Sequence, residues 1–270
     1  VGFIPKVKYE NGEEIRGFKV LLGGGLGAQP AIATVVHEFL HEDLIIPYTE
    51  TVIRVFDRYG ERNNRNKARM KFLIAKLGLD EVLRLIEEER IANKFNTYKI
   101  DRNTIPSPHI PEPLDITDVV PSNESHYIQW LATNVFEQKQ AGFFGVFVKV
   151  PVGDIPTDKA RLFIDAIRDL VSDEIRVTQN QGLLLKFARK EGLPLLFNRL
   201  AELGLADPGF DSVADVTTCP GTDTCNLGIS NSTELSRVLE EVVYDEYPNL
   251  IYNRDIKIKI SGCMNSCGQH

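Results

Sequence analysis

Residues 143–203 read FFGVFVKVPVGDIPTDKARLFIDAIRDLVSDEIRVTQNQGLLLKFARKEGLPLLFNRLAEL, and this stretch decides the fold. Phe143 to Val150 is a nearly continuous run of Phe and Val, short enough for a strand. Thr157 stands at the head of a helical pattern that runs to about Val171. Glu174 to Thr178 and Leu183 to Phe187 read as two strands joined by a turn at Asn180–Gly182. Pro194 to Leu203 reads as a second helix, with proline where a first turn tolerates it. Strand, helix, strand, strand, helix is most of a split β-α-β arrangement, which places the chain in the α+β class.

Upstream, five prolines between Thr104 and Pro121 interrupt any periodicity, and that stretch is expected to be an extended linker. Before it, Gly17 to Leu22 reads as a strand leading into the glycine run Gly23 to Gly27. Pro30 to His41 carries Ile32, Val35, Val36, Phe39 and Leu40 at helical spacing and is expected to be a helix. Further helices are expected near 49–59, 66–77 and 81–93, the last capped by Asp80. Downstream, Ser232 to Val243 reads as a helix and Asp255 to Ile260 as a strand.

The chain has 270 residues with a net charge of -7, 43% hydrophobic and 26% charged, so it has ordinary globular composition. The negative balance argues against a general nucleic-acid binder. The longest apolar runs are too short to cross a bilayer, and no signal peptide is evident, so a cytoplasmic location is expected. The sequence begins at Val1 rather than Met and stops three residues after Cys267, so it is read as an internal piece of a longer protein.

All four cysteines lie at or beyond position 219. A disulfide scaffold would spread them through a small domain, whereas clustering at one end points to a metal site. They form two pairs, Cys219-Pro-Gly-Thr-Asp-Thr-Cys225 and Cys263-Met-Asn-Ser-Cys267. Four thiolates match the four irons of a 4Fe–4S cube. Structural zinc sites favour tighter pairs, so the five-residue gap between Cys219 and Cys225 favours the cluster over zinc or four inert thiols.

These blocks resemble a known family. Thr218-Cys219-Pro220 through Cys225, followed by Ser261 through Gly268, are similar to the sirohaem/4Fe–4S signature of assimilatory nitrite and sulfite reductases. Gly17 through Gly27 resembles that family's glycine-rich strand end. Tyr59-Gly60 through Arg69 resembles its basic cofactor-facing segment, and Arg176 through Gln181 the strand end that reaches the haem pocket. The resemblance implies a ferredoxin-like domain flanked by portions of the sirohaem/4Fe–4S domains, with cluster ligands Cys219, Cys225, Cys263 and Cys267. It also implies that Cys267 bridges to the sirohaem iron, for six-electron reduction of nitrite to ammonia or sulfite to sulfide. Sirohaem bears many carboxylates, so the basic run Arg62, Arg65, Lys67, Arg69 and Lys71 becomes a candidate cradle, with Arg65 and Arg69 foremost. Without the resemblance, that run reads as a solvated helix face. Gln181 and Asn265 are further candidates for pocket contacts. The residues that grip the substrate are implied to precede this chain, so none is named. A ferredoxin or similar low-potential carrier is the implied donor.

Two other motifs compete. His37-Glu38-Phe39-Leu40-His41 is a literal H-E-x-x-H on the expected helix, but no third ligand follows as a zinc hydrolase requires. Gly23 to Ala28 fits G-x-G-x-x-A after a strand, yet Gln29-Pro30 intervenes and no acidic residue ends a convincing second strand. The expected division is therefore a portion of a first catalytic domain (1–122), a ferredoxin-like half-domain (123–205) and the start of a cluster-binding domain (206–270). The alternatives are a cluster-carrying electron-transfer protein without sirohaem, and a structural four-cysteine zinc domain.

Overall fold

The structure is a computed structural model that describes residues 1–26, 29–116 and 118–269. The chain forms two compact units, Val1–Pro106 and Ser107–His270.

In the first unit, β1 (Gly2–Glu10) and β2 (Glu13–Leu22) form a long antiparallel hairpin. Its two-residue turn is Asn11-Gly12, both at positive φ (54° and 85°), the pairing that matches strand twist. β3 (Thr34–His41) pairs antiparallel with the other edge of β2. The expected helix over 30–41 is thus a strand. Its apolar spacing suits both forms, and the β-branched Val35 and Val36, together with the open edge of β2, decide for the sheet. α1 (Ile45–Tyr59) buries Tyr48, Thr51, Val52 and Val55, one face at i, i+3, i+4 and i+7. A 3₁₀ turn, Arg65–Lys67, precedes α2 (Met70–Leu77), so the single helix expected over 66–77 is broken in two. Gly78, at φ 84°, ends α2 and starts α3 (Leu79–Ala92), leaving Asp80 in the first turn rather than at the cap. Val20, Leu22, Val52, Val55, Leu73, Val82 and Ile86 make this unit's core.

In the second unit, α4 (Glu124–Asn134) is capped by Asn123, whose side chain accepts from the His126 amide at 3.0 Å. It runs into β4 (Val135–Glu137) and then β5 (Phe143–Val148). α5 (Thr157–Ile167), β6 (Ile175–Val177), β7 (Leu183–Arg189) and α6 (Leu193–Glu202) follow. The four strands form an antiparallel sheet in the order β4-β5-β7-β6. The pattern legible in residues 143–203 supplies three of them. The fourth edge is filled from in front, by β4, through a hairpin with β5. Trp130, Val146, Phe163, Leu185, Leu196, Phe197 and Leu200 fill the core between sheet and helices.

Part of the expected linker is packed. His109 and Asp173 exchange two hydrogen bonds (2.9 and 3.2 Å), and Asn198 accepts from the Ser122 amide (2.7 Å) and donates to the Val120 carbonyl (2.9 Å). Proline-rich chain has few backbone donors, and side chains of the sheet and α6 satisfy its exposed carbonyls. Beyond α6, the chain forms β8 (Thr217–Thr218), α7 (Ser232–Glu246) and β9 (Lys259–Ile260). The strand expected over 255–260 is only its last two residues. Among the described residues no helix is long and apolar enough to cross a membrane.

Candidate metal centre

β8 and β9 are parallel, with Thr217 opposite Lys259 and Thr218 opposite Ile260. Parallel strands deliver their following residues to the same end of the sheet. Cys219 therefore leaves β8 beside Ser261-Gly262-Cys263 leaving β9, although the two pairs lie far apart in sequence. The Cys219 amide continues the ladder to the Ile260 carbonyl at 3.1 Å. The Gly262 amide donates to the Cys219 sulfur at 3.1 Å, and the Gly262 carbonyl accepts from Ile229 (2.9 Å) and Ser230 (3.2 Å), just beyond Cys225. The Cys225 amide is held by the Gly221 carbonyl at 3.1 Å.

Two glycines are required by these close approaches. A Cβ on Gly262 would lie 2.8 Å from the Gly221 backbone, and one on Gly268 would lie 2.0 Å from the Ile260 carbonyl oxygen. The second contact, with the Gly268 amide on Ser261 Oγ at 3.0 Å, folds the 263–267 loop back onto the end of β9 and brings Cys267 with it.

Cys219 is buried, Cys225 and Cys263 are half-buried, and Cys267 is exposed. Burial opposes ionisation of Cys219, but the Gly262 amide, the Ser232 hydroxyl and the Gly221 amide outweigh it and hold the thiol below its usual pKa. Among the described residues, no three His, Cys, Asp or Glu side chains converge on one point as ligands of a single ion do. The donor chemistry fits a multi-iron cluster, which takes one thiolate at each corner and benefits from amides aimed at sulfur.

Gln181, expected as a cofactor contact, is hydrogen-bonded to β8. Its side-chain amide accepts from the Thr218 amide (2.9 Å) and donates to the Thr218 carbonyl (2.8 Å). β8 has β9 on one side, and the Gln181 side chain acts as a one-residue strand on the other. Beside it, Asn180 donates to Asp211 (2.8 Å) and Asp215 (3.3 Å). Asn265 and Cys267 are exposed on the neighbouring loop.

The basic segment lies in the first unit. Arg62 is bound to the Asp57 carboxylate at 2.5 Å and the Asp57 carbonyl at 2.9 Å, closing the end of α1. Arg69 donates to the Leu26 carbonyl at 2.7 Å, and Lys71 donates to the carbonyls of Leu26 (3.1 Å) and Gln29. These two cations fasten the glycine loop. Arg65 is exposed, and among the described residues its side chain meets no hydrogen-bond partner. Of the basic set it is the guanidinium most open to an outside carboxylate.

Both competing motifs lose their context. His37 and His41 lie on a strand, where four residues span about 13 Å rather than one helical turn. His37 instead packs edge-on against Tyr48, and burial lowers its pKa. The glycine motif falls partly on Gly27 and Ala28, outside the described residues. Its flanking strands, β2 and β3, are antiparallel neighbours and not the parallel pair of a dinucleotide fold.

Sequence reasoning passed over Lys149, whose side chain is 1% exposed. The signal was present: a lysine inside the apolar run Phe143 to Val150 must be either solvated or paired.

Parallel-strand cysteine loops beside an antiparallel α+β sheet define a candidate thiolate metal centre, and the comparisons give its family. The domain described as nitrite and sulphite reductase 4Fe-4S domain matches residues 1–95, and the nitrite/sulfite reductase ferredoxin-like half domain matches residues 136–203. The first match contains no cysteine; all four thiols follow both matched segments. The NADPH sulfite reductase hemoprotein beta-component of Geobacillus kaustophilus is 25% identical over all of this chain and 44% of its own length. The chloroplastic ferredoxin–nitrite reductase of Zea mays is 26% identical over all of this chain and 43% of its own. The solved structure of Mycobacterium tuberculosis NirA superposes with a TM-score of 0.70 at 26% identity, covering 99% of this chain and 44% of that one. The chain belongs to the nitrite and sulfite reductase family, and it spans less than half the length of these relatives.

Proposed function

We propose that this chain is the part of a sirohaem- and 4Fe–4S-dependent reductase that carries the cluster ligands, acting on nitrite or sulfite. The observation that carries the reading is the parallel β8–β9 pair, which sends both cysteine loops out at one end with an amide already donated to Cys219. Cys219, Cys225, Cys263 and Cys267 would hold the cluster, and Cys267, the exposed thiol, would also bridge to the sirohaem iron. When bound, the coupled centres supply single-electron storage for a six-electron reduction. Arg65 and Arg69 would meet sirohaem carboxylates, with Arg62, Gln181 and Asn265 as further contacts. Arg69 would at the same time keep the glycine loop in place. The divisions at 122 and 205 are the proposed boundaries between the family's domains.

A ferredoxin or similar low-potential carrier would donate electrons, as the names of the ferredoxin-dependent relatives suggest, and the cytoplasm, where thiols stay reduced, is the proposed compartment. The test is the visible spectrum of the full-length protein purified without oxygen, followed by nitrite and sulfite reduction with a chemical electron donor. Soret and long-wavelength bands with turnover of either anion support the reading. A single broad shoulder would mean a cluster carrier without sirohaem, and a colourless protein would refute both iron-based readings.

A further inference from the structure

Lys149 stands immediately after β5, and its ammonium is buried among groups from the cysteine-bearing segment. It donates to the Ala214 carbonyl and to the Tyr244 hydroxyl (2.6 Å), and it lies 3.5 Å from the Glu240 carboxylate. Glu240 in turn accepts from the Val216 amide at 2.9 Å, and Tyr244 donates to the Pro208 carbonyl at 2.8 Å. Glu240 and Tyr244 are four residues apart on α7, so they present one face to the ammonium. Ala214 and Val216 are the residues that lead into β8. One cation therefore ties the end of the ferredoxin-like sheet both to the segment that leads into β8 and Cys219 and to the helix behind it.

We infer that Lys149 is a positioning residue for the cysteine loops: its ammonium, gripped by Ala214, Tyr244 and Glu240, registers β8 against the ferredoxin-like sheet. Through the β8–β9 pairing it thereby fixes where Cys219 and Cys263 present their thiols. The inference rests on reading the cysteines as cluster ligands.

A buried ion pair is an inefficient way to add stability, because an apolar pair of similar volume commonly does as well. What it adds is direction. Three acceptors at fixed positions accept one register of the strand, whereas an oily contact tolerates sliding. The protonation states suit this arrangement. Burial opposes the charge on Lys149, but the hydrogen bond to Tyr244 and the facing carboxyl groups of Glu240 and Asp215 outweigh it. Burial pushes Tyr244 up to about 12, so the phenol stays neutral and both donates and accepts, and burial raises Glu240 against the pull of the ammonium. Other ties run the same way. Asn134 donates to the Asp207 carbonyl at 3.0 Å, and Phe147 stacks on Phe210 at 4.0 Å.

The test uses the full-length protein with Lys149→Met and with Lys149→Met/Glu240→Gln, which removes the unpaired Glu240 charge and keeps an acceptor for Val216, while Asp215 keeps its donors, the Asp211 amide and Asn180. The readouts are the urea midpoint, the alkylation rate of Cys219 relative to exposed Cys267 in cluster-free protein, and the rate of iron loss to a chelator. Lys149→Met is expected to lower the urea midpoint. The double variant is expected to recover it, while in both Cys219 reacts about tenfold faster, or more, than in wild type. Iron loss is expected to accelerate in parallel. If the double variant regains wild-type alkylation together with stability, Lys149 serves only to neutralise Glu240 and the inference is overturned. Unchanged rates in Lys149→Met would overturn it equally. If wild-type protein takes up no iron, the proposed function fails, and the alkylation measurement still decides the role of Lys149.

Discussion

Replacing Gln181 with alanine removes the side chain that stands in for a missing strand beside β8. Thr218 is 2% exposed, and both of its backbone groups facing away from β9 are satisfied by Gln181, at 2.9 and 2.8 Å. Each such hydrogen bond contributes about 0.5–1.5 kcal/mol net, and each buried group left alone costs about 1–3 kcal/mol. Gln181 is only half-buried, so water enters the emptied space and meets one of the two groups. The expected loss is then about 2–3 kcal/mol. Backbone conformation supplies an internal control. Gln181 sits at φ 63°, a region that costs a side-chain-bearing residue about 1–2 kcal/mol relative to glycine. Gln181→Gly loses the same clamp but relieves that strain, so the order of stability should be wild type, then glycine, then alanine. Urea unfolding of the full-length protein gives the order, and amide exchange at Thr218 shows whether the loss is local. Glycine and alanine variants equal to each other and within about 0.5 kcal/mol of wild type would refute the clamp.

Three further outcomes follow from the same geometry. Gly268→Ala places a Cβ 2.0 Å from the Ile260 carbonyl oxygen, so the 263–267 loop must move; a loss at the upper end of the ~1–3 kcal/mol typical of overpacking is expected in urea unfolding, with iron content falling in the purified protein. Cys267→Ser should disturb the haem spectrum as well as the cluster signal of the full-length protein, and loss of the cluster beside an unaltered haem spectrum would remove the bridging role. The Arg199 guanidinium, 2.6 Å away, outweighs burial and holds the Asp169 carboxylate below its usual value of 3.8. A depressed folded pKa stabilises above the unfolded value and loses that contribution as pH falls through the folded one, so Asp169→Asn should flatten the decline of the urea midpoint below about pH 4.

The ferredoxin-like unit was legible where each element carried its own period. The runs at 143–150 and 183–187, the helices at 157–171 and 194–203, and the turn at 180–182 are local statements, and local propensity agrees with the tertiary result at each. β4 was not legible, because a three-residue strand has no period of its own; Val135–Glu137 becomes a strand only because β5 offers an unpaired edge next to it. The misreading of 30–41 has the same origin. Val36 and Leu40 sit four apart, which places them on one face of a helix and equally on one face of a strand, and the choice is made by β2 rather than by the segment itself.

The candidate site divides along the same line. Four thiols in two pairs identify the donor chemistry, because ligand identity is written in the residues. What brings the pairs together is a parallel ladder of two residues per strand, and parallel pairing requires a long crossover that no spacing rule reports. The basic segment shows the converse case. Arg62, Arg65, Arg69 and Lys71 read alike as charges in a row, but three of them are engaged by Asp57, Leu26 and Gln29, and carbonyl contacts made across forty residues leave no trace in local composition. A sequence reveals which atoms can bind; the backbone's unmet hydrogen bonds decide which are still free to. By that criterion Gln181 and Arg69 act first on their own chain, and Arg65, Asn265 and Cys267 are among the groups that face outward.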